Sequence, residues 1–546
     1  MVENLKRLKY AGVLLILILI IFLCIKIDGK SSVKEASNLV VFGDNILTEY
    51  NPFIENGGIY IGVDTISKVI DEEIFYDKIA TKVIVTTKTD VVKFKINENK
   101  MSKNFEYSDI NTPAKLKNGQ PYVDINLLKD IYNIKISYNE ETNTVSIDKI
   151  SAGDINILYN MVNVYKDYNT KSPVLQTINK NNKVTVYTQS FKHNRWYKIK
   201  TDSGVIGYIA KNNIDGNLLA KEDEKSDSKK DLKQDEKITM FWQYGSDLDT
   251  LGAKKIEGVD VVSPTWYELK NSKGDISSKY SKDYASHAKE MGYQIWPIIT
   301  NGIDSTTYSS DDTSAMLNSE YNREQFIKNL VAIAKENKFE GINIDFEAMK
   351  TEDRDIYTQF IKELAPMLRT QGVKVSVDMY FVAYIDRKNI GQATDYIVLM
   401  GYDHRGAWSS EAGSIAEVSW VESNIDSLIK DSGINPKQII LGIPFYTRLW
   451  SEKIDDGSLS TNIYTMKNCL EFIDKYNVTP VWDEDAGQNY VETTKGNLKY
   501  KLWIEDSNSV KKRVETVNKY NLAGITGWRK GFETNDIWDV IKANLK

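Results

Sequence analysis

Cysteine and histidine are nearly missing from this chain: 546 residues hold two cysteines and three histidines. Cys24 lies in an apolar run and Cys469 near the other end, so no structural disulfide is expected, and no CxxC or zinc-ligand spacing occurs. His193, His287 and His404 are scattered, which argues against a histidine metal site or a Ser-His triad. A strong charge of one sign is missing too. The net charge of -6 is modest for this length and leaves no nucleic-acid footprint. With 41% hydrophobic and 27% charged residues the chain reads as globular, and its length suits three or four domains better than one core.

One long apolar run stands out, "YAGVLLILILIIFLCI" over residues 10–25, preceded by Lys6, Arg7 and Lys9 and followed by Lys26. It is short for a membrane span but long enough once Lys26 snorkels. Basic residues ahead of the run place the cytoplasm before it and the exterior after it. Residues 1–35 are therefore read as a cytoplasmic stub and transmembrane helix. A cleaved signal peptide is the alternative, although no small-x-small cleavage site follows and "IFLC" lacks the small residue of a lipoprotein signal. Either way the rest of the chain is exported. The expected location is the cell membrane, single-pass, with the C-terminal domains extracytoplasmic; under the alternative the chain is secreted.

A charged linker over residues 218–237 contains "KEDEKSDSKKDLKQDEK" and reads as a solvated tether. Upstream, "NGGIYIGVDTISKVI" and "NGQPYVDINLLKDIY" each run from a glycine turn into a short strand and then a short helix. Residues 38–150 resemble the copper amine oxidase N-terminal-like α+β domain. No copper is implied, because this stretch has neither His nor Cys. Residues 152–217 alternate short strands with turns, and "RWYKIK" followed by "GVIGYI" resembles a bacterial SH3-type barrel. Trp196, Tyr197 and Tyr208 would form either an aromatic groove for cell-wall peptides or the core of this small domain, with the core preferred.

After the linker, apolar runs begin at Ile238, Val259, Gln294, Gly341, Lys374, Tyr396, Ile439 and Gly524. Helical patterns lie between them. "NREQFIKNLVAIAKE", with Asn322 as its expected cap, precedes the fourth run, and "RDIYTQFIKELAPMLRTQG", stopping at Gly372, follows it. Eight strand-helix units predict a (β/α)8 TIM barrel over residues 238–546, with a helix and a small β insertion at about 451–505.

In "FEGINIDFEAM", Ile342, Ile344 and Phe346 alternate with Asn343, Asp345 and Glu347. A barrel strand has no solvent face, so the apolar set must meet the helices and the polar set must fill the barrel. Glu347 then stands at the C-terminal rim. Asp345 and Glu347 would have Cα atoms roughly 6.8 Å apart on one face. Two carboxyls in a partly buried pocket do not both ionise near neutral pH, which suits one of them to donate a proton to a glycosidic oxygen. All but one of the eleven tryptophans follow the linker, and Trp266, Trp296 and Trp528 at strand ends are candidates to stack on sugar rings.

These residues resemble glycoside hydrolase family 18, the chitinase-like family. Its Asp-x-x-Asp-x-Asp-x-Glu signature reads here as Glu340, Asn343, Asp345 and Glu347; its Met-x-Tyr-Asp is "MGYD" from Met400 to Asp403; and the Trp ending its eighth strand is Trp528. "GIPFYTRLW" fits the seventh strand, with Tyr446 and Arg448 as rim contacts. The resemblance implies substrate-assisted retention, in which Glu347 protonates the leaving oxygen, the sugar's 2-acetamido carbonyl attacks its own anomeric carbon, and Glu347 then activates water. It further implies that Asp345 orients the acetamido group and Tyr402 hydrogen-bonds its carbonyl. Met400, Asp403 and Trp528 would bind the sugar. No metal or organic cofactor is implied. "WDEDAGQNY" and "WIEDSNSV" resemble the branch associated with peptidoglycan and spore walls, so the expected partner is peptidoglycan or a chitin-like glycan and not nucleic acid. A chitinase acting on another glycan and a non-catalytic glycan-binding wall protein are the alternatives.

Two departures stand out. Glu340 replaces the first acid, a structural change where the strand begins. Asn343 replaces the second, removing a charge beneath Asp345 while leaving an amide expected to hydrogen-bond it. Asn343→Asp should therefore displace the pH optimum, and an unchanged pH-rate profile would refute the expectation.

Overall fold

The alternating apolar runs close into a ring. In a computed structural model, the described residues are 39–43, 45–47, 52–140, 143–149, 154–156, 161–180, 182–187, 195–213, 237–302 and 310–545. The expected transmembrane run at 10–25, and the linker up to residue 236, lie outside them. Among the described residues, no helix is long and apolar enough to cross a membrane.

The ring strands are β1 (Ile238–Gln243), β2 (Val261–Leu269), β3 (Gln294–Ile295, resuming over Ile298–Thr300), β4 (Gly341–Asp345), β5 (Lys374–Met379), β6 (Tyr396–Met400), β7 (Ile439–Pro444) and β8 (Gly524–Trp528). Each pairs in parallel with its successor, and β1 pairs with both β2 and β8. Closure leaves no unpaired strand edge. The period of two sorts the side chains. Ile342, Ile344, Val375 and Val377 join the core between ring and helices, while Met240, Trp242, Trp296, Ile298, Val398 and Met400 fill the ring.

Helices α1 (Glu320–Asn337) and α2 (Arg354–Arg369) flank β4 in the chain. Phe346, just beyond β4, stacks on Tyr357 and Phe360 of α2, with centroids 5.9 and 5.7 Å apart. Ser319, and not Asn322, caps α1: its extended backbone lets its side chain accept from the Asn322 backbone N–H, while the Asn322 side chain donates to the Ser272 carbonyl. Between β7 and β8 a five-stranded antiparallel sheet with one helix (Met466–Tyr476) carries its own core of Leu449, Cys469, Phe472, Val491, Leu502 and Ile504. Its first strand is Tyr446–Lys453, so Tyr446 and Arg448 belong to the insertion and not to β7.

Contacts divide the chain into two units. One comprises residues up to 72, 96–99 and 111–226; the other comprises 73–95, 100–110 and 227–546. The stretch 38–150, read above as one module, is thus shared between them. In the first unit a six-stranded antiparallel sheet holds the SH3-like core, including Val164, Val184, Tyr197 and Ile199. Tyr197 is core, whereas half-buried Trp196 meets Tyr165 edge-on at 5.7 Å and half-buried Tyr208 meets Tyr168 at 5.9 Å.

In the second unit, strands within residues 75–95 and 100–109 form a five-stranded antiparallel sheet whose charged side chains are matched to α1 and α2. Buried Lys93 reaches Glu320 at 2.9 Å, Glu324 at 3.2 Å and Glu363 at 2.9 Å. Arg323, fully buried, bridges Asp77 at 2.9 Å and Glu363 at 3.2 Å. Burial opposes charge on Glu320, but Lys93 and Lys82 outweigh it and hold its carboxyl down at about 2. A depressed carboxyl stabilises the fold above its unfolded value, near 4.3, and that contribution is lost as pH falls toward 2. Lys93→Met in the full chain is expected to cost about 3–5 kcal/mol by leaving buried carboxylates short of a partner. Denaturant unfolding measures this, and an unchanged midpoint would count against the cluster's importance.

Candidate active site

The inward residues of β4 lead to the rim. Asn343 and Asp345 are buried within the ring, and Glu347, two residues on, is exposed. The loop carrying Glu347 is clamped by Asn301 beyond β3. The Asn301 Oδ1 accepts from the backbone N–H groups of Glu347 at 2.9 Å and Ala348 at 3.1 Å, and its Nδ2 donates to the Ala348 carbonyl at 2.9 Å. Tyr384 donates its hydroxyl to the Glu347 carbonyl at 3.1 Å.

Asp345 and Glu347 are hydrogen-bonded to each other through their carboxyls. Burial, followed by the charges of Glu347 and Asp378, pushes Asp345 well above the usual carboxylate range. Burial also raises Glu347, with Asp345's hydrogen bond opposing and Asp403's charge adding to the rise; its exposure to water moderates the effect. The other oxygen of Asp345, Oδ1, is buried without a hydrogen-bond partner. A proton is therefore held between a buried carboxyl and an open one, the arrangement general acid chemistry needs.

Around this pair, Tyr402 is buried and makes edge contacts with Trp242 and Tyr380 at 6.4 Å each and with Tyr446 at 6.2 Å. Asp403 has a left-handed backbone (φ 57°) and accepts from the Tyr446 hydroxyl at 2.7 Å. Burial raises the Asp403 carboxyl, while Tyr446 and the Arg448 charge counter the rise. Trp528 is half-buried, edge-on to Trp242 at 6.0 Å. Met400 lies within the ring. These residues of the sequence-predicted site come together at one end of the barrel.

Two tryptophans do not join them. Trp266 is 1% exposed, packs on Tyr280, Tyr284 and Phe339 outside the ring, and donates to the Ser246 hydroxyl. Trp296, also 1% exposed, fills the ring against Tyr396 and covers Gly341, where a Cβ would lie 2.6 Å from its ring. Neither presents a face to a sugar. Asn343 differs as well: its Nδ2 donates to Asp378 at 2.7 Å and its Oδ1 accepts from Trp242 Nε1 at 2.8 Å, and Asp345 Oδ1 receives no hydrogen bond from it. Glu340 accepts from the Ile295 backbone N–H, a structural tie where β4 begins. Sequence reasoning missed Asp378, Asn301, Tyr380 and the 71% exposed Trp408 on the loop after β6. The alternation in "VSVDMY" puts Asp378 inward by the same parity that places Asp345.

The sequence profile of Glycosyl hydrolases family 18 matches residues 259–532, just over half of the chain. The chain belongs to this family. Profiles of the copper amine oxidase N-terminal domain and the bacterial SH3 domain match residues 40–147 and 161–215. An uncharacterized glycosylase, YvbX, of Bacillus subtilis is 28% identical over 287 residues, 50% of this chain and 81% of that protein. The cortical fragment-lytic enzyme of Bacillus subtilis is 23% identical over 256 residues, 44% of this chain and 58% of the enzyme. In fold, the barrel is similar to the spore cortex-lytic enzyme SleL of Bacillus megaterium (TM-score 0.51, 20% identity, 57% of this chain and 74% of that one). It is also similar to a chitinase of Chromobacterium violaceum (TM-score 0.51, 22% identity, 57% and 99%). Family membership makes the chain a glycosidase acting on a glycan.

The raised Asp345 carboxyl has a consequence for stability. Below its unfolded value, near 3.9, both states are protonated; above it, the unfolded chain ionises while the folded carboxyl stays protonated, and stability falls. Asp345→Asn should therefore raise the melting temperature by an increment that grows as pH rises above about 4. Melting curves across pH would show it, and an increment independent of pH would refute it.

Proposed function

We propose that the chain is an exported glycosidase hydrolysing β-1,4 N-acetylglucosaminyl bonds of bacterial peptidoglycan, with the sugar's own acetamido group as nucleophile. The observation that carries this reading is the hydrogen-bonded Asp345–Glu347 pair, one carboxyl buried and the other open at the rim. Glu347 gives its proton to the leaving glycosidic oxygen as the bond to the anomeric carbon breaks. The acetamido carbonyl oxygen forms a bond to that carbon from the other face, giving an oxazolinium intermediate. Asp345 then turns from Glu347 to the acetamido N–H, and Tyr402 donates to the carbonyl oxygen. The Glu347 carboxylate takes a proton from water as the water oxygen attacks the anomeric carbon and reopens the ring, so configuration is retained. Trp528 supplies the floor under the sugar, and Asp403, held by Tyr446, binds its hydroxyls.

Export through residues 10–25 and a wall-peptide contact by Trp196 and Tyr208 of the SH3-like domain fit a substrate outside the membrane. The choice of peptidoglycan over chitin draws on the spore-cortex enzymes among the relatives. The full chain should release reducing ends from purified peptidoglycan, with N-acetylglucosamine at the new end by mass spectrometry. Glu347→Gln should slow release by about 10²–10⁴-fold. Release from N-acetyl-chitooligosaccharides alone would assign chitin instead, and equal release by the variant would leave a glycan-binding protein.

A further inference from the structure

The acid missing at residue 343 has a counterpart one strand away. Ile344 of β4 pairs with Val377 of β5, and both face the helices. The next residues along, Asp345 and Asp378, are therefore neighbours inside the ring, and both are buried. Trp242 Nε1 can only donate, so the Asn343 oxygen must face Trp242 and the Asn343 Nδ2 must face Asp378, as the 2.8 and 2.7 Å contacts show. Burial raises the Asp378 carboxyl well above the usual range too, and the Asn343 hydrogen bond opposes that rise by stabilising the charged form. The neighbouring Asp345 Oδ1 receives no hydrogen bond.

Resting on the glycosidase reading above, we propose that Asp378 is a positioning residue for the reaction: it supplies from β5 the buried negative charge that residue 343 lacks, and so keeps Asp345 protonated and able to donate. Of two adjacent buried carboxyls, the one given a donor keeps the charge and the other takes the proton. The groups facing them are Glu347 beyond β4, Tyr380 and Tyr384 beyond β5, Tyr402 beyond β6, Tyr357 of α2, and the uncharged Asn343 and Trp242. Burial raises all four phenols, so they stay neutral at working pH, and the carboxyls alone decide where the proton lies. A protonated Asp345 donates to Glu347 and so supplies the proton that Glu347 passes to the leaving oxygen; the Asp345 carboxylate left behind then accepts from the acetamido N–H. Asp378 touches no substrate; it acts through Asp345.

The geometry also explains why residue 343 is an amide. An acid there would sit within hydrogen-bond range of Asp378, and the two would have to share a proton. Exchanging the two residues avoids that conflict. In Asn343→Asp/Asp378→Asn, the new carboxylate accepts from Trp242 Nε1 and from the new amide, so charge and hydrogen bonds are both kept.

The test compares wild type, Asp378→Asn and the exchanged pair in the full chain. It follows kcat and KM against pH on peptidoglycan and N-acetyl-chitooligosaccharides, with melting temperatures read alongside. Removing a neighbouring negative charge lets Asp345 lose its proton at lower pH. Asp378→Asn should therefore move the alkaline limb of kcat down by about one pH unit and lower kcat at neutral pH about tenfold, with KM little changed. The exchanged pair should return both limb and rate to within about threefold of wild type. If Asp378→Asn does not fold, recovery of folding and rate by the exchange carries the test. A wild-type kcat-pH profile in Asp378→Asn overturns the proposal, as does an exchanged pair that fails to restore folding or rate. Wild type inactive on both glycans instead removes the glycosidase reading, and this inference with it.

Discussion

Carboxyl groups gathered inside a closed barrel repel one another and have little water to screen them. Asp345, Glu347, Asp378 and Asp403 meet this constraint at the C-terminal end of the ring, and each is held above the ordinary carboxylate range, with burial as the first cause. The surrounding structure decides where the remaining charge sits. Asn343 steadies Asp378, Tyr446 and Arg448 steady Asp403, and Asp345 shares its hydrogen bond with Glu347. A site that stores a proton in this way is costly to fold and suited to giving the proton up.

The same constraint accounts for the rigid surroundings. A shared proton helps only if the two carboxyls stay in register, and an error near 1 Å costs a catalyst about 100-fold. Asn301 uses both ends of its amide on the backbone around Glu347, its Nδ2 donating to the Thr313 hydroxyl as well, and Tyr384 fixes the carbonyl. Phe346, between the two acids, is locked in a stack with α2. The acids are thus set by their neighbours on both faces of the strand.

Much of this was legible in sequence because period-two alternation in a buried parallel strand leaves no ambiguity of face. That rule placed Asn343, Asp345 and Glu347, and it would have placed Asp378 had "VSVDMY" been read the same way. The two misplaced tryptophans show where the rule stops. Trp266 and Trp296 do lie on or just after strands, but whether an aromatic ring stacks on a sugar or fills the barrel depends on its height along the strand and on neighbours such as Gly341, which one sequence does not print. The Asn343 partner was misjudged for a related reason. The obvious acceptor was two residues away on the same strand, whereas the actual one lies diagonally across on the next.

The sheet within residues 75–95 and 100–109 was read as part of an accessory module, yet its charges end on the helix that backs the candidate site. Glu363, which binds both Lys93 and Arg323, lies on α2 two residues after Ile361 and three after Phe360, the residue stacked on Phe346. A buried, multiply bridged carboxylate fixes a helix in position along its axis because its partners cannot follow a shift without breaking several bonds at once. With α2 fixed, Phe346 is fixed, and with Phe346 the spacing of the two acids on either side of it. The barrel closes without this sheet, but the sheet grips the helix against which the fourth strand is set. The separation of roles between catalytic barrel and upstream modules therefore does not fall at the charged linker: part of the upstream sequence belongs, physically, to the support of the site.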